Sequence, residues 1–320
     1  MRYEQIGDAI GGTPLVRVDA LLPAAARAKG IRLYAKVEML GPTGSIKDRT
    51  AKALIDDLHF RGLLAPGREL LEPTSGNTGA ALAVHAAARG IPLTLVMPAN
   101  VTEERRAFVR ALGATIVDSP ADEGSNGAVA LARAMAKADS KYVSPDQYSN
   151  QANPKVHEVT TAPEILADLP EVDVVVAGLG TGGTATGLAR YFAREKPSVK
   201  VWAAEPMPGE KVTGLRSLED GFTPEVMEAE LLAGRILVNS RDSIVAAREL
   251  ARSSGILAVD PANIRKTSTR GPTKTLGAVL HVTNWVSAYG NFSSNFGSPR
   301  GTVVGPDAVV GPTTLGRGMD

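Results

Sequence analysis

The chain has 320 residues, 35 Lys plus Arg against 34 Asp plus Glu, and no cysteine. Its length implies two packed units or one large α/β unit, and the near-zero charge gives no electrostatic reason for nucleic acid or a membrane surface as main partner. The missing cysteines exclude disulfides, iron–sulfur clusters, thiolate zinc and a cysteine nucleophile together. No apolar run approaches the ~18 residues of a membrane span and no secretory leader pattern opens the chain, so a soluble, cytoplasmic protein is expected.

From residue 31 onward, short β-branched runs alternate with longer Ala-rich stretches, the pattern of a parallel α/β fold. Strands are predicted over 31–37, 69–72, 92–97, 115–118, 172–177 and 199–204. The last two are apolar through most of their length, as strands covered on both faces are. Among the helices, 103–112 carries Val109 and Leu112 on one face and 126–138 carries Val129, Ala132 and Met135; such stripes are core. A helix over 242–254 has Ser240 as N-cap, Ile244, Ala247 and Ala251 on one face, and Gly255 as its stop. Beyond residue 258 the texture changes, because 27 of the final 62 residues are Gly, Pro, Ser or Thr and no periodicity persists. No internal repeat of solenoid or propeller length occurs.

Three connections concentrate Gly, Ser, Thr and Asn where a strand end meets a helix start: PTGSIKDR (42–49), PTSGNTG (73–79) and GLGTGGT (178–184). Ligands of α/β proteins bind at such places. In the third, Gly180, Thr181, Gly182, Gly183 and Thr184 let the backbone curl so that its N–H groups face a phosphate. The same stretch fits the dinucleotide fingerprint Gly178-x-Gly180-x-x-Gly183, with Glu205 placed as a ribose-binding carboxylate, which keeps a dinucleotide oxidoreductase as an alternative. That alternative leaves the other two loops without a role, whereas one phosphate and one carboxylate suit a small phosphorylated cofactor and an amino acid. A ligand-free tight turn is the plain alternative for each loop alone, and two such turns in one chain weigh against it.

Most lysines are solvated surface. Lys47 follows a Gly-Ser approach near a helix start, where the helix end disfavours positive charge and lowers an amine's pKa, a setting for a Schiff-base nucleophile. The spacing does not fit a Walker lysine. His59, His85, His157 and His281 lack metal-ligand spacing, no Gly-x-Ser-x-Gly elbow occurs, and Arg105-Arg106 reads as a solvated helix face.

Together with DQYSNQANP (146–154), TTAPEI (160–165) and Gly12-Thr13-Pro14-Leu15, these loops resemble the cysteine synthase group of the tryptophan-synthase-β-like, fold type II pyridoxal-phosphate enzymes, over about residues 7 to 258 and in the family's order. The resemblance implies a two-domain α/β fold, each domain a mostly parallel twisted sheet with helices on both faces. A smaller domain, 38–145, would carry the substrate-carboxylate loop, and a larger one, 1–37 plus 146–320, would bind the cofactor phosphate. It also implies pyridoxal 5'-phosphate on Lys47, which acts as base at the substrate's Cα. Asn77 is expected at the pyridine 3-oxygen, Thr74, Ser75, Gly76, Thr78 and Gln147 at the substrate carboxylate, and Gly180, Thr181, Gly182, Gly183 and Thr184 at the phosphate. The implied reaction is β-replacement on an O-activated L-serine, with a sulfur donor giving L-cysteine in a homodimer. Arg216, in GEKVTGLRSLEDGF (209–222), falls where phosphoserine-using members place a phosphate-binding arginine, and a guanidinium fork suits a departing phosphate. Cysteine desulfhydrase and diaminopropionate synthase share these motifs and remain alternatives.

The chain departs from the family after Ala258. A short Ser/Thr-Gly turn that meets the pyridine nitrogen is expected there, and VDPANIRKTSTRGPTKTL (259–276) stands instead, with Ser268 and Thr269 as candidates for its role. Residues 277–281 resemble the start of the family's next helix, and 302–307 its final strand. An insertion, a divergent enzyme, or a tail written in a shifted reading frame each explain the change, the last implying an inactive homologue.

Overall fold

The computed structural model describes residues 2–74, 76–210, 212, 214–219 and 222–256, and the backbone of three later strands. The chain opens with β1 (Leu15–Arg17), α1 (Ala24–Ala28) and β2 (Ile31–Lys36). Then follow α2 (Lys47–Phe60), β3 (Glu69–Pro73), α3 (Asn77–Arg89), β4 (Leu93–Pro98), α4 (Glu103–Ala111), β5 (Thr115–Ser119), α5 (Gly124–Ala138) and β6 (Tyr142–Val143). Next come α6 (Ala152–Val156), a π-helical turn (His157–Thr161), α7 (Ala162–Asp168), β7 (Val174–Gly178), α8 (Gly183–Glu195), β8 (Lys200–Pro206), β9 (Gly234–Val238) and α9 (Ser240–Ser254). The later strands are β10 (Thr275–Val282), β11 (Tyr289–Ser293) and β12 (Thr302–Val304). All six predicted strands are present, within two residues at each end.

Two sheets are largely parallel. One runs β5-β4-β3-β6 and is parallel throughout; the other runs β12-β9-β8-β7, parallel except for its edge strand β12. Each is covered on both faces, as apolar strands without alternation require. In the first, Leu70 and Leu95 join Ile55 of α2 and Leu82 of α3, while Leu71 and Val96 join Ala128 and Ala132 of α5. In the second, Val175 and Ala177 pack on Leu188 and Phe192 of α8, and Val174 and Val176 form a cluster with Ala204. Full burial of the Val, Leu, Ile and Phe side chains among them stabilises by ~1.5–3 kcal/mol each.

The third sheet, β1-β2-β10-β11, is antiparallel throughout, so 31–36 do not join a parallel sheet as expected. The segment read as a helix start at 277–281 lies inside β10, where Val279 pairs opposite Tyr34 of β2. The β-branched residues Thr275, Val279 and Val282 favour a strand beside the free edge of β2. The helix cap at α9 also differs from expectation: Asn239 caps it, its Oδ1 accepting the Asp242 N–H at 2.8 Å, and Ser240 is the first helical residue. Asn and Ser cap equally well, so the choice falls to where the strand before it ends. Gly255 stops the helix at φ +67°, as predicted.

Candidate active site

β3 and β7 end at the same side of their sheets, and each passes directly into a Gly-rich turn and a helix. Between those turns and the start of α2 lies a cavity of about 180 Å³. Its walls include Lys47, Thr74, Gly76, Asn77, Thr78, Gln147, Gly180, Thr181, Gly182, Thr184 and Arg216. Of the remaining expected site residues, Gly183 is buried beneath the loop, and Ser75 lies outside the described residues, as do Ser268 and Thr269.

Lys47 is the first residue of α2, and its N–H donates to Ser45 Oγ at 3.1 Å. Burial pushes its ammonium down to about 8, while Glu72 opposes the shift. Burial, not the helix end, is therefore the main cause. The helix is pinned two residues on. Arg49 donates to both oxygens of Glu38 at 2.9 and 3.0 Å and to both oxygens of Glu164 at 2.7 Å. Thr13, from the GTPL motif, donates to Glu38 as well, and fully buried Lys36 reaches Thr13 O and Glu164. Glu164 is held down near 2 by Arg49 and Lys36, against the upward effect of burial. Paired buried charges of this kind fix geometry more than they stabilise.

In the turn after β3, Thr78 donates to Gln147 Oε1 at 2.8 Å, and both side chains are buried. Behind it sits Glu72, fully buried, with neither carboxyl oxygen in hydrogen-bond geometry with a described residue. Burial, reinforced by Asp146, raises its carboxyl to about 8, and the N–H groups of 146 and 147 and the Gln147 amide oppose the rise. Asp146 is the only non-glycine with positive φ (47°) among the described residues, and its side chain accepts the Tyr148 N–H at 3.2 Å, a local turn that asparagine and aspartate tolerate.

The turn after β7 is crowded. A Cβ on Gly180 would lie 2.9 Å from Gly214 O, and one on Gly182, at φ +84°, would lie 2.5 Å from Met227 Sδ. The chain passes here only without side chains, and α8 starts immediately behind. Backbone N–H groups at a helix start, two threonine hydroxyls and glycines that keep the floor flat form a donor set suited to a phosphate. Arg216 lies on the adjacent wall, its guanidinium over the Phe222 and Tyr148 rings at 4.3 and 5.5 Å, while its main-chain N–H donates to Leu179 O at 2.7 Å.

Glu205, the carboxylate of the dinucleotide alternative, is absent from the cavity wall. It is fully buried, accepts the Leu218 N–H at 2.9 Å and pairs with Arg235 at 2.7 Å. The pair 105–106 also departs from its expectation as a solvated face. Arg106 is buried and pairs with Asp118 at 2.6 Å, and Arg105 lines the cavity with Ser125 and Tyr148. Nothing in local spacing separates those two arginines from surface ones; their burial comes from how α4 meets β5.

The family of pyridoxal-phosphate dependent enzymes matches residues 6–262. Cysteine synthase A of Salmonella typhi is 40% identical over 273 residues, covering 80% of this chain and 82% of its own. Cysteine synthase of Staphylococcus aureus is 35% identical over 292 residues, 87% of this chain and 93% of its own. Among solved structures, cysteine synthase from Entamoeba histolytica superposes with a TM-score of 0.78 at 28% identity, over 92% of this chain and 88% of that one. An O-ureido-L-serine synthase does so with a TM-score of 0.74 at 35% identity, over 80% and 82%.

Proposed function

From the premise that the chain belongs to the pyridoxal-phosphate-dependent enzymes, we propose that it makes L-cysteine by β-replacement on an O-activated L-serine, with O-phosphoserine as the preferred donor. The observation that carries this reading is the convergence of Lys47, Asn77, the 74–78 turn, Gln147 and the 180–184 turn on one cavity. Pyridoxal phosphate, when bound, supplies an electron sink for charge at the substrate's Cα. Lys47, whose amine is half deprotonated near pH 8, takes the Cα proton and later returns it. Thr74, Ser75, Gly76, Thr78 and Gln147 hold the substrate carboxylate, and Asn77 donates to the pyridine 3-oxygen. Gly180, Thr181, Gly182, Gly183 and Thr184 hold the cofactor phosphate. The leaving group departs with the electrons of its Cβ–O bond, and a sulfur nucleophile forms the new bond at Cβ. In this reading residues 38–145 form the smaller domain, and two copies of the chain assemble. Among the described residues no helix is long and apolar enough to cross a membrane.

Arg216 supports the choice of donor. Its guanidinium is stacked and oriented on the cavity wall, where a departing phosphate meets a fixed charge. Arg216→Ala is expected to lower kcat/KM with O-phosphoserine by about ten- to a hundred-fold, the loss of one charge-assisted hydrogen bond, and to leave O-acetylserine nearly unaffected. Equal losses with both donors would remove the assignment. The likeness to O-ureido-L-serine synthase favours a second reading, in which a nucleophile carrying a urea group adds at Cβ. Mass identification of the product formed with each nucleophile separates the two. Purified protein is expected to absorb in the visible, and borohydride should fix the cofactor on the peptide containing Lys47; a colourless protein that takes up no pyridoxal phosphate would refute both.

A further inference from the structure

A threonine hydroxyl has one proton, so it is a fixed donor toward a phosphate when the polar groups behind it donate to its oxygen and leave that proton free. Thr181 and Thr184 both have such groups behind them, supplied by α6 and the π-helical turn. Gly183 and Gly187, one turn apart on α8, make room for them. A Cβ on Gly183 would overlap the Asn153 amide, and one on Gly187 would overlap Pro154 O and lie 2.8 Å from His157 Cβ.

The proton directions follow from one fixed point. Gln147 O only accepts, and it lies 2.8 Å from Asn153 Nδ2, which sets the orientation of that amide. The second Nδ2 hydrogen goes to Thr181 Oγ1 at 2.9 Å, and the Gly183 N–H donates to the same oxygen at 3.3 Å. Thr181's own proton is left for the cavity. Asn153 Oδ1 consequently faces Thr50 Oγ1, which donates to it at 3.4 Å. With that proton used, Thr50's contact with His157 Nε2 at 3.2 Å is donation by Nε2–H. Nδ1 then accepts from Thr161 Oγ1 at 3.0 Å. The same Nε2–H is shared with Thr184 Oγ1 at 3.2 Å, so Thr184 also accepts from behind and keeps its proton for the cavity it lines.

We propose that Asn153 and His157 are positioning residues that turn the Thr181 and Thr184 hydroxyls into fixed O–H donors, with His157 held as the Nε2–H tautomer, so that the 180–184 turn selects a fully ionised phosphate. The proposal rests on the assignment of that turn to the cofactor phosphate. Thr50 lies three residues after Lys47, so the same chain of hydrogen bonds ties the lysine's helix to the phosphate turn.

Nitrogen NMR of histidine-labelled holoenzyme reads the tautomer directly. The expected spectrum has a protonated Nε2 and a bare Nδ1 at His157 across the neutral pH range; a bare Nε2 or an imidazolium overturns the proposal. Pyridoxal-phosphate dissociation constants supply the second readout. Thr184→Val and His157→Leu are each expected to weaken binding by about ten- to a hundred-fold, the effect of losing one donor to a charged group. His157→Gln, whose amide nitrogen takes the place of Nε2, should bind nearly as the parent does. Unchanged binding by Thr184→Val would sink the phosphate assignment itself. A loss in Thr184→Val with none in His157→Leu would leave that assignment standing and reject the positioning role. Should His157→Leu fail to fold, the NMR result and the glutamine variant decide.

Discussion

The turns at 73–79 and 178–184 leave parallel strands in the same manner and differ in what stands behind them. The second is closely packed from behind: a Cβ on its glycines would meet Gly214, Met227 or Asn153, and the polar groups beneath it are satisfied through Asn153 and His157. The first is crowded only at its helix end, where a Cβ on Gly79 would lie 2.6 Å from Thr74 Cγ2, and faces open space at Gly76, where an added Cβ would meet nothing within 4 Å. Behind it lies Glu72, buried, with neither carboxyl oxygen in hydrogen-bond geometry with a described residue, in the field of Asp146. A group that stays bound is best met by donors already in place, whereas a substrate that enters and leaves each cycle needs a turn free to close and reopen. The contrast supports giving the second turn to the cofactor and the first to the amino acid.

Substituting one glycine in each turn tests the contrast most severely. Gly183→Ala forces a methyl group into the Asn153 amide, and overpacking of this kind costs ~1–3 kcal/mol. Cofactor affinity should fall by roughly five- to a hundred-fold. Gly76→Ala should leave cofactor affinity unchanged and alter only the KM for the activated serine. Visible absorbance during cofactor titration measures both. Equal effects on cofactor binding would erase the distinction between a built cradle and an open turn.

The groups behind the turns should also separate by pH. Glu72 keeps its proton up to about 8 in the folded chain, against an ordinary 4.5. Between those values the folded state binds more protons, so this group's contribution to stability falls as pH rises. His157, neutral because of burial with Lys47 and Arg49 nearby, acts oppositely: below its ordinary 6.5 the unfolded chain binds more protons, and stability falls as pH drops. Lys47 adds a rise between about 8 and 10.5, where again the unfolded chain binds more protons. Denaturant unfolding of the cofactor-free protein over a pH series should show a dip near pH 8. Glu72→Gln should remove the falling limb that leads into it, and a dip left intact would show that Glu72 ionises normally.

Local chemistry decides which of these features the sequence carries. Strands such as Val174–Gly178 carry their own signal, because continuous β-branched runs suit burial on both faces. The three Gly-rich turns mark the cavity in the sequence, and among the described residues expected there all but Gly183 line it. Positions whose role depends on distant neighbours were not legible. In the sequence His157 stands as one of four scattered histidines, because its partners Thr50, Thr161 and Thr184 come from three different elements. Arg105 looked like half of a surface pair, and only the docking of α4 brings it to the cavity while Arg106 turns inward to Asp118. Gly183 reads as a phosphate-loop residue, yet a Cβ there, or on Gly187 one turn later, would overlap the segment that follows Gln147.

Gln147 joins the two turns, and the smallest expected effect tests how tightly. Its side-chain oxygen accepts from Thr78 in the first turn, and its main-chain oxygen accepts from Asn153 beneath the second. Thr78→Val removes a single neutral hydrogen bond, a net ~0.5–1.5 kcal/mol, and should raise the KM for the activated serine by about two- to twelve-fold. Thr78→Ser should restore it. Cofactor affinity should stay constant in both, because the link to Asn153 runs through the backbone of Gln147 and not through the amide that Thr78 orients. If cofactor affinity falls together with substrate binding, movement of the Gln147 side chain is carried into its main chain, and the two turns act as one unit.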